Sequence, residues 1–354
     1  MPKGKNKSPI LPAGRRHMAG KPTLKTIAQL SGLAVATVSR ALNDAPDIGA
    51  DTKKLVRRIA AEVGYVPNRA GVRLRTGRTN VISLVMSTEH SMMNHTAQLI
   101  WSVAEELRHT PYHLIITPFF AGQDPMEPVR YVVETGSADA LIINQTLPDD
   151  PRVRYLLDRG FPFASHGRTE MGVEHPYFDY DNEAFSRIVM GKLAERGCKS
   201  VVMIAPPREQ TYSNALVAGG EAAAREHGIT FRAETEVSSD DMHDMIRENV
   251  TRRLAEDPSI DGYICGSIAS TLAVIAAAEA AGREIGKTIQ IATKEAVPFI
   301  QLMRKDIISL SEDVSRAGTF LAQAVIQAIS DPELPPMQEL EIPEDDEAPD
   351  TAEE

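Results

Sequence analysis

The chain has 354 residues, 42% hydrophobic and 25% charged, which excludes fibrous, collagen-like and wholly disordered proteins and exceeds one typical domain. Two cysteines, Cys198 and Cys265, exclude a disulfide framework or a four-cysteine zinc site and read as small buried residues. The net charge of −11 is unevenly spread: residues 1–80 hold 16 Lys/Arg against 4 Asp/Glu (+12), residues 331–354 hold 11 acids and no base (−11), and the middle holds 22 against 34 (−12). A basic head on an acidic body is the asymmetry expected when one end alone meets a polyanion.

Lys3, Lys5 and Lys7 among Pro2, Pro9 and Pro12 predict a basic, flexible arm over residues 1–21. The arm has no apolar signal core, and no later run reaches the roughly 18 apolar residues of a membrane span, so the cytoplasm is the expected compartment and no membrane partner is expected. From Leu24 to Val63 the pattern is helical. Ile27, Ala28 and Leu30 share one face of a first short helix, which Gly32-Leu33 breaks. Val38, Ala41 and Leu42 give the buried face of a second, and Asn43, Asp44, Pro46 and Asp47 form a loop. Leu55, Val56, Ile59 and Val63 mark a third helix, which Gly64 stops. Three helices, the first two joined by a tight glycine turn, predict a helix-turn-helix head over residues 22–66.

Residues 67–78 are too short and polar for a core of their own and read as a hinge. From Val81 the pattern becomes βα alternation, with apolar runs at Val81–Met86, His113–Thr117, Ala140–Ile143, Pro162–Ala164, Val201–Ala205, Gly262–Cys265, Ile289–Ala292 and Ile307–Leu310. That predicts parallel sheets covered by helices, and the length of residues 79–333 predicts two lobes. The Pro-, Glu- and Asp-rich residues 334–354 predict a disordered acidic tail, and truncation after Met337 is expected to be harmless. The fold class is therefore a small all-α head with a hinge, followed by a two-lobed α/β domain.

The outer side of the second helix presents Val35, Ala36, Thr37, Ser39 and Arg40. Small side chains, hydroxyls for phosphate oxygens and an arginine able to fork onto guanine are what a recognition helix needs. With its flanks, the run Leu24-Lys-Thr-Ile-Ala-Gln-Leu-Ser-Gly-Leu-Ala-Val-Ala-Thr-Val-Ser-Arg-Ala-Leu-Asn, followed by Tyr65-Val-Pro-Asn-Arg, closely resembles the head and hinge of the LacI/GalR family of transcriptional regulators. The body resembles that family's periplasmic-binding-protein-like effector domain. The resemblance implies that Val35, Ala36 and Arg40 read base edges and that Thr37, Ser39, Asn43 and Tyr65 position phosphates. It also implies a hinge, Asn68 to Thr76, that becomes helical on DNA, with Leu74 wedged into the minor groove and Arg69 and Arg73 supplying attraction. One departure is Ala34, which stands where the family usually has a Ser or Thr cap.

The body departs further. His166 stands where family members often have an acid, Leu216 where a sugar-binding Arg is typical, Gly266-Ser267 where an Asn-Asp pair is usual, and Thr293-Lys294-Glu295 where Gly-x-Asp-Asp is usual. Ligands of open α/β lobes bind at strand carboxyl ends. Asn94, His95, Asn144, His166, Arg168, Asn214, Ser267, Lys294 and Glu295 are the expected effector-binding residues, with Trp101, Phe119 or Phe178 expected to stack on a ring. The segments Met92-Met-Asn-His-Thr, Ile143-Asn-Gln-Thr and Ser165-His-Gly-Arg-Thr resemble the α-glucoside-responsive subgroup.

The reading is a homodimeric regulator, a repressor, that binds a palindromic double-stranded DNA operator and is released by a small carbohydrate such as an α-glucoside. Alternatives are a regulator using a corepressor or partner protein, and a carbohydrate-active enzyme with a DNA-binding appendage. No nucleophile elbow, phosphate-binding glycine loop or Cys/His metal spacing supports catalysis, and no cofactor or metal is expected. Leu74→Ala is predicted to reduce discrimination between operator and random DNA, since a wedge has value only where the central step kinks. Fluorescence anisotropy on both DNAs measures this, and unchanged discrimination excludes the wedge.

Overall fold

The computed structural model describes residues 21–66, 73, 77–88, 93–120 and 122–344, without the side chains of Met93 and Asn94. The chain divides into two compact units, residues 1–77 and 78–354.

The first unit contains α1 (Leu24–Ser31), α2 (Val35–Leu42) and α3 (Ala50–Val63). Thr23 and Thr26 form a capping box on α1, and Gly32 ends it at φ 70°, a left-handed conformation that favours glycine. Ala34 precedes α2 with no side-chain cap, as the sequence implied. Ile27, Val38, Ala41, Val56, Ile59 and Ala60 close one small core. Leu30, expected inside, is 59% exposed, and Thr26 is buried in its place. In an eight-residue helix the buried arc is narrow, so a leucine two positions past Ala28 falls outside it.

The second unit holds two all-parallel sheets. The elements of the first lobe are β1 (Val81–Ser87), α4 (Met93–Leu107), β2 (His113–Phe119), α5 (Met126–Thr135), β3 (Ala140–Asn144), α6 (Pro151–Asp158), β4 (Phe163–His166) and β5 (Tyr177–Tyr180). The second lobe follows with α7 (Asn182–Glu195), β6 (Ser200–Ile204), α8 (Thr211–His227), β7 (Thr230–Ala233), α9 (His243–Glu256), β8 (Gly262–Cys265), α10 (Ile268–Ala280), β9 (Gln290–Glu295), α11 (Phe299–Met303) and β10 (Ile308–Ser311). The chain then returns through α12 (Val314–Ser330) and β11 (Gln338–Glu341) to the first sheet. Strand orders are β11-β5-β4-β3-β1-β2 and β10-β9-β8-β6-β7.

Helices cover both faces of each sheet, which explains the continuous apolar runs of β1, β3 and β8. Helix α12 packs against α4 through Val314, Leu321 and Val325 on Leu99, Val103 and Leu107. At Gly318 the two helices come close enough that a β-carbon would overlap the Ser102 hydroxyl.

The expected disorder from residue 334 is wrong for the part that matters most. β11 pairs in parallel with β5 from Gln338↔Tyr177 to Glu341↔Tyr180. Its last residue joins the two places where the chain changes lobe. Asp181 N donates to Glu341 O at 2.8 Å, and Asp313 N donates to the Glu341 carboxylate at 2.9 Å. Arg316 pairs with Glu339. The composition reads as a tail because an edge strand of four residues needs backbone partners more than apolar side chains. Residues 345–354 lie outside the described residues.

Truncation after Met337 is therefore predicted to lower Tm by several degrees, since it removes a ladder and both ties at the lobe junction. Truncation after Glu344 should leave Tm unchanged. Scanning calorimetry on the two truncations distinguishes the roles, and equal melting would show that β11 contributes nothing.

Candidate functional site

Both sheets present strand carboxyl ends to one cavity between the lobes. From the first lobe come His95 at the start of α4, Asn144 ending β3, His166 ending β4, and Asp179 and Tyr180 of β5. From the second come Tyr212 on α8, Ser267 capping α10, Leu272, and Lys294 and Glu295 on β9. Asn182 and Glu312 stand on the two crossovers and also line it.

Glu312 is the centre. Its carboxylate is 4% exposed and accepts from Lys294 Nζ at 2.7 Å on one oxygen. Its other oxygen lies 3.3 Å from His95 Nε2 and 3.6 Å from His166 Nε2. Burial alone would raise its pKa, but Lys294, helped by the two histidines, outweighs that and holds it well below the usual carboxylate range. Lys294 also donates to Asn182 Oδ1 at 3.0 Å and lies 4.9 Å from the Tyr180 ring centroid and 5.6 Å from that of Tyr212. Burial first, and then His95, lower the His166 pKa to about 3, so its imidazole is neutral at physiological pH. Burial raises Asp179 to about 6 in spite of its ion pair with Arg168 at 3.1 Å.

Among the described residues, Asn144 Oδ1, His95 Nδ1 and the Tyr180 hydroxyl face the cavity with no hydrogen-bond partner. Asn144 is 3% exposed. A buried amide oxygen left unpaired costs about 1–3 kcal/mol unless something occupies the cavity.

Of the expected effector residues, His95, Asn144, His166, Ser267, Lys294 and Glu295 line this cavity. Their roles differ. The Glu295 carboxylate is used locally, accepting from Ile300 N and Gln301 N at the start of α11 and from Ser309 Oγ on β10. Ser267 Oγ caps α10 and donates to Ser239 O. Arg168 does not line the cavity; it turns to Asp179, which does. Asn214 lies on α8 outside the lining, and Leu216 belongs to the second-lobe core, because one turn earlier Tyr212 takes the cavity-facing position. The Asn94 side chain is outside the described residues.

The aromatic expectation is also corrected. Phe178 is fully buried in the first-lobe core, Phe119 packs on the opposite side of the sheet, and Trp101 is 59% exposed on α4. Tyr180 and Tyr212 stand in the cavity instead. Sequence reading missed Tyr180, Asn182, Tyr212, Asp179 and Glu312. The available signal for Glu312 was its place directly after a strand, Ile308–Ser311, a position like those of Asn144, His166 and Lys294 at or near strand ends.

In the head, Val35 is 41% exposed, and Ala36 and Arg40 are exposed. Arg40 pairs with Asp47 of the following loop. Asn43 Nδ2 donates to Ser39 O, and Thr37 and Ser39 are half-buried. Tyr65 packs against the head core. Arg73 is helical, whereas Asn68, Arg69 and Leu74 lie outside the described residues.

Residues 23–68 match the bacterial regulatory proteins of the lacI family, and residues 190–345 match the periplasmic binding protein-like domain. The HTH-type transcriptional regulator AglR of Rhizobium meliloti (strain 1021) is 29% identical over 324 residues, 90% of each chain. The chain carries a lacI-family head and a periplasmic binding protein-like body. Among solved LacI-family folds, the Lac repressor dimer bound to operator and the anti-inducer ONPF superposes with a TM-score of 0.79 at 16% identity, covering 92% of this chain and 97% of that one. A transcriptional regulator CelR–cellobiose complex superposes at 0.66 with 21% identity, covering 92% and 98%. Among the described residues no helix is long and apolar enough to cross a membrane.

Asp179 gives a pH prediction. Its pKa is raised in the folded chain, so its contribution to stability is fully present below about pH 4 and is lost as pH rises through about 6, on the order of 2–3 kcal/mol. Asp179→Asn is predicted to melt progressively higher than wild type as pH rises from 4 to 8. Melting curves of both proteins across that range check it, and a pH-independent difference would place the proton elsewhere.

Proposed function

We propose that this chain is a LacI-family, sequence-specific, homodimeric transcriptional regulator whose operator affinity is set by a neutral carbohydrate bound between its lobes. The observation that carries the carbohydrate reading is the lining itself. Its one lysine, Lys294, is already paired with Glu312, and Arg168 behind the lining is paired with Asp179, while the Asn144 amide oxygen and Tyr180 hydroxyl are left for hydroxyl donors. A sugar phosphate or acid would need a spare cation, whereas a glycoside needs amides, hydroxyls and a ring face, which Tyr212 and Tyr180 supply. The CelR–cellobiose complex supports a glycoside of about two rings, and an α-glucoside is the class that the cavity segments resemble.

DNA is the partner of the head. Val35, Ala36 and Arg40 are the proposed base-reading residues, with Thr37, Ser39, Asn43, Tyr65, Asn68, Arg69 and Arg73 on phosphates and Leu74 as the minor-groove wedge. One head buries too little surface for high specificity, so two heads on a palindrome are needed. Exposed Ile115 and Ile116 on the β2 edge, and Val297, Phe299, Leu302 and Met303 around α11, support pairing of both lobes with a second copy. Release follows if the carbohydrate favours the lobe arrangement that separates the paired hinges. Repression is the expected sense, and the cytoplasm the expected compartment.

The test is operator binding by fluorescence anisotropy with α- and β-linked disaccharides, sugar phosphates and uronic acids as competitors. Release by at least one neutral glycoside and by no charged sugar is expected, and release only by phosphates or acids overturns the reading. Asn144→Ala should weaken the glycoside about tenfold while leaving ligand-free operator affinity within a few-fold of wild type.

A further inference from the structure

The same cavity carries a side-chain set that a carbohydrate does not require. His95, His166 and Glu312 come from α4, β4 and the second crossover, and one possible ligand atom of each lies within 4.8 Å of the others. Bonds of about 2.0–2.1 Å to a tetrahedral zinc ion set its ligand atoms about 3.3–3.4 Å apart. The two histidine–carboxylate separations, 3.3 and 3.6 Å, are already of that size. We propose that His95, His166 and Glu312 form a binding site for a divalent transition ion of the zinc type, with its remaining coordination position open to the cavity.

Each ligand is prepared for this. The face of the His166 ring lies against Phe178 (centroids 6.3 Å apart, planes at 27°), so its orientation is fixed. Among the described residues His95 Nδ1 has no partner, so the ring can carry its proton there and present the Nε2 lone pair to a metal. Lys294 occupies the other Glu312 oxygen and thereby aims the first at the histidines, as outer-shell partners of metal carboxylates do. Its ammonium also repels the cation, which makes this an exchangeable site weaker than a closed structural zinc site. Two imidazoles and one carboxylate favour zinc, cobalt or nickel over magnesium or calcium, which prefer oxygen. The site does not depend on the carbohydrate reading, and an ion held there would sit beside any ligand entering from the Asn144 side.

The experiment uses the full-length protein stripped with chelator and titrated with Co(II), whose visible ligand-field bands gain intensity on low-symmetry, four-coordinate binding. One equivalent per chain is expected to produce these bands, Zn(II) to abolish them, and Zn(II) to raise Tm. His95→Ala, at the more exposed edge of the cluster, should weaken Co(II) binding at least tenfold with its own metal-free Tm near wild type. Glu312→Gln should abolish the bands. No bands at one equivalent, or bands and a Zn(II)-dependent Tm rise unchanged in His95→Ala, would overturn the site whatever the protein's response to carbohydrates.

Discussion

The buried carboxylate of Glu312 is the constraint on which the junction between the lobes depends. It stands on the second crossover, is neutralised by Lys294 of the second lobe, and faces His95 and His166 of the first. Lys294 in turn reaches Asn182 at the first crossover. Removing Lys294 or Glu312 strands the other charge away from water, at a cost of several kcal/mol, so the two lobes and both crossovers share one electrostatic centre. A packed apolar junction would hold the lobes as firmly but would offer a ligand nothing to exchange with. A charged junction can trade internal hydrogen bonds for ligand ones as the lobes move.

The crossovers are also tied from behind. Glu341 accepts from Asp181 N and Asp313 N, and β11 adds a strand to the first sheet beside them. Thus the segment entering the second lobe and the segment leaving it are bonded to the same residue. A change in lobe arrangement bends both about a common anchor. Thr211, at the start of α8, bonds back across the cleft through its N–H and hydroxyl to Thr146 O. These contacts make the two lobes one device, in which occupancy of the cavity bears on how the first lobe is held.

The departures from the usual family residues are coherent when taken together. With Leu216 in the core and no arginine facing the cavity from α8, the cation comes from Lys294 on β9. With His166 in place of an acid at the end of β4, the acid comes from Glu312 at the end of β10. One acid and one base are kept, but they come from different strands, which changes which edge of a ligand each can reach. That relocation is a physical reason to expect a ligand preference of this chain's own within the family's chemistry.

Periodicity in the sequence determined the head, the βα alternation and the presence of two lobes, since buried faces repeat at 3.6 residues in helices and parallel strands are apolar throughout. The eight apolar runs became β1, β2, β3, β4, β6, β8, β9 and β10. Strand ends, read as such, also located Asn144, His166, Ser267 and Lys294 at the cavity, and the start of the helix after β1 located His95. Three strands were not legible: Tyr177–Tyr180, Thr230–Ala233 and Gln338–Glu341 carry polar or alternating side chains, and each is held by backbone pairing to a neighbour more than 25 residues away. Only the tertiary structure decided that Glu295 and Ser267 are spent on local caps, that Arg168 turns to Asp179, and that Tyr212 and Glu312 enter the site. A residue's type and its place after a strand say that it is near the cleft. Which of its neighbours claims it is set by partners distant in sequence, and no local pattern encodes those.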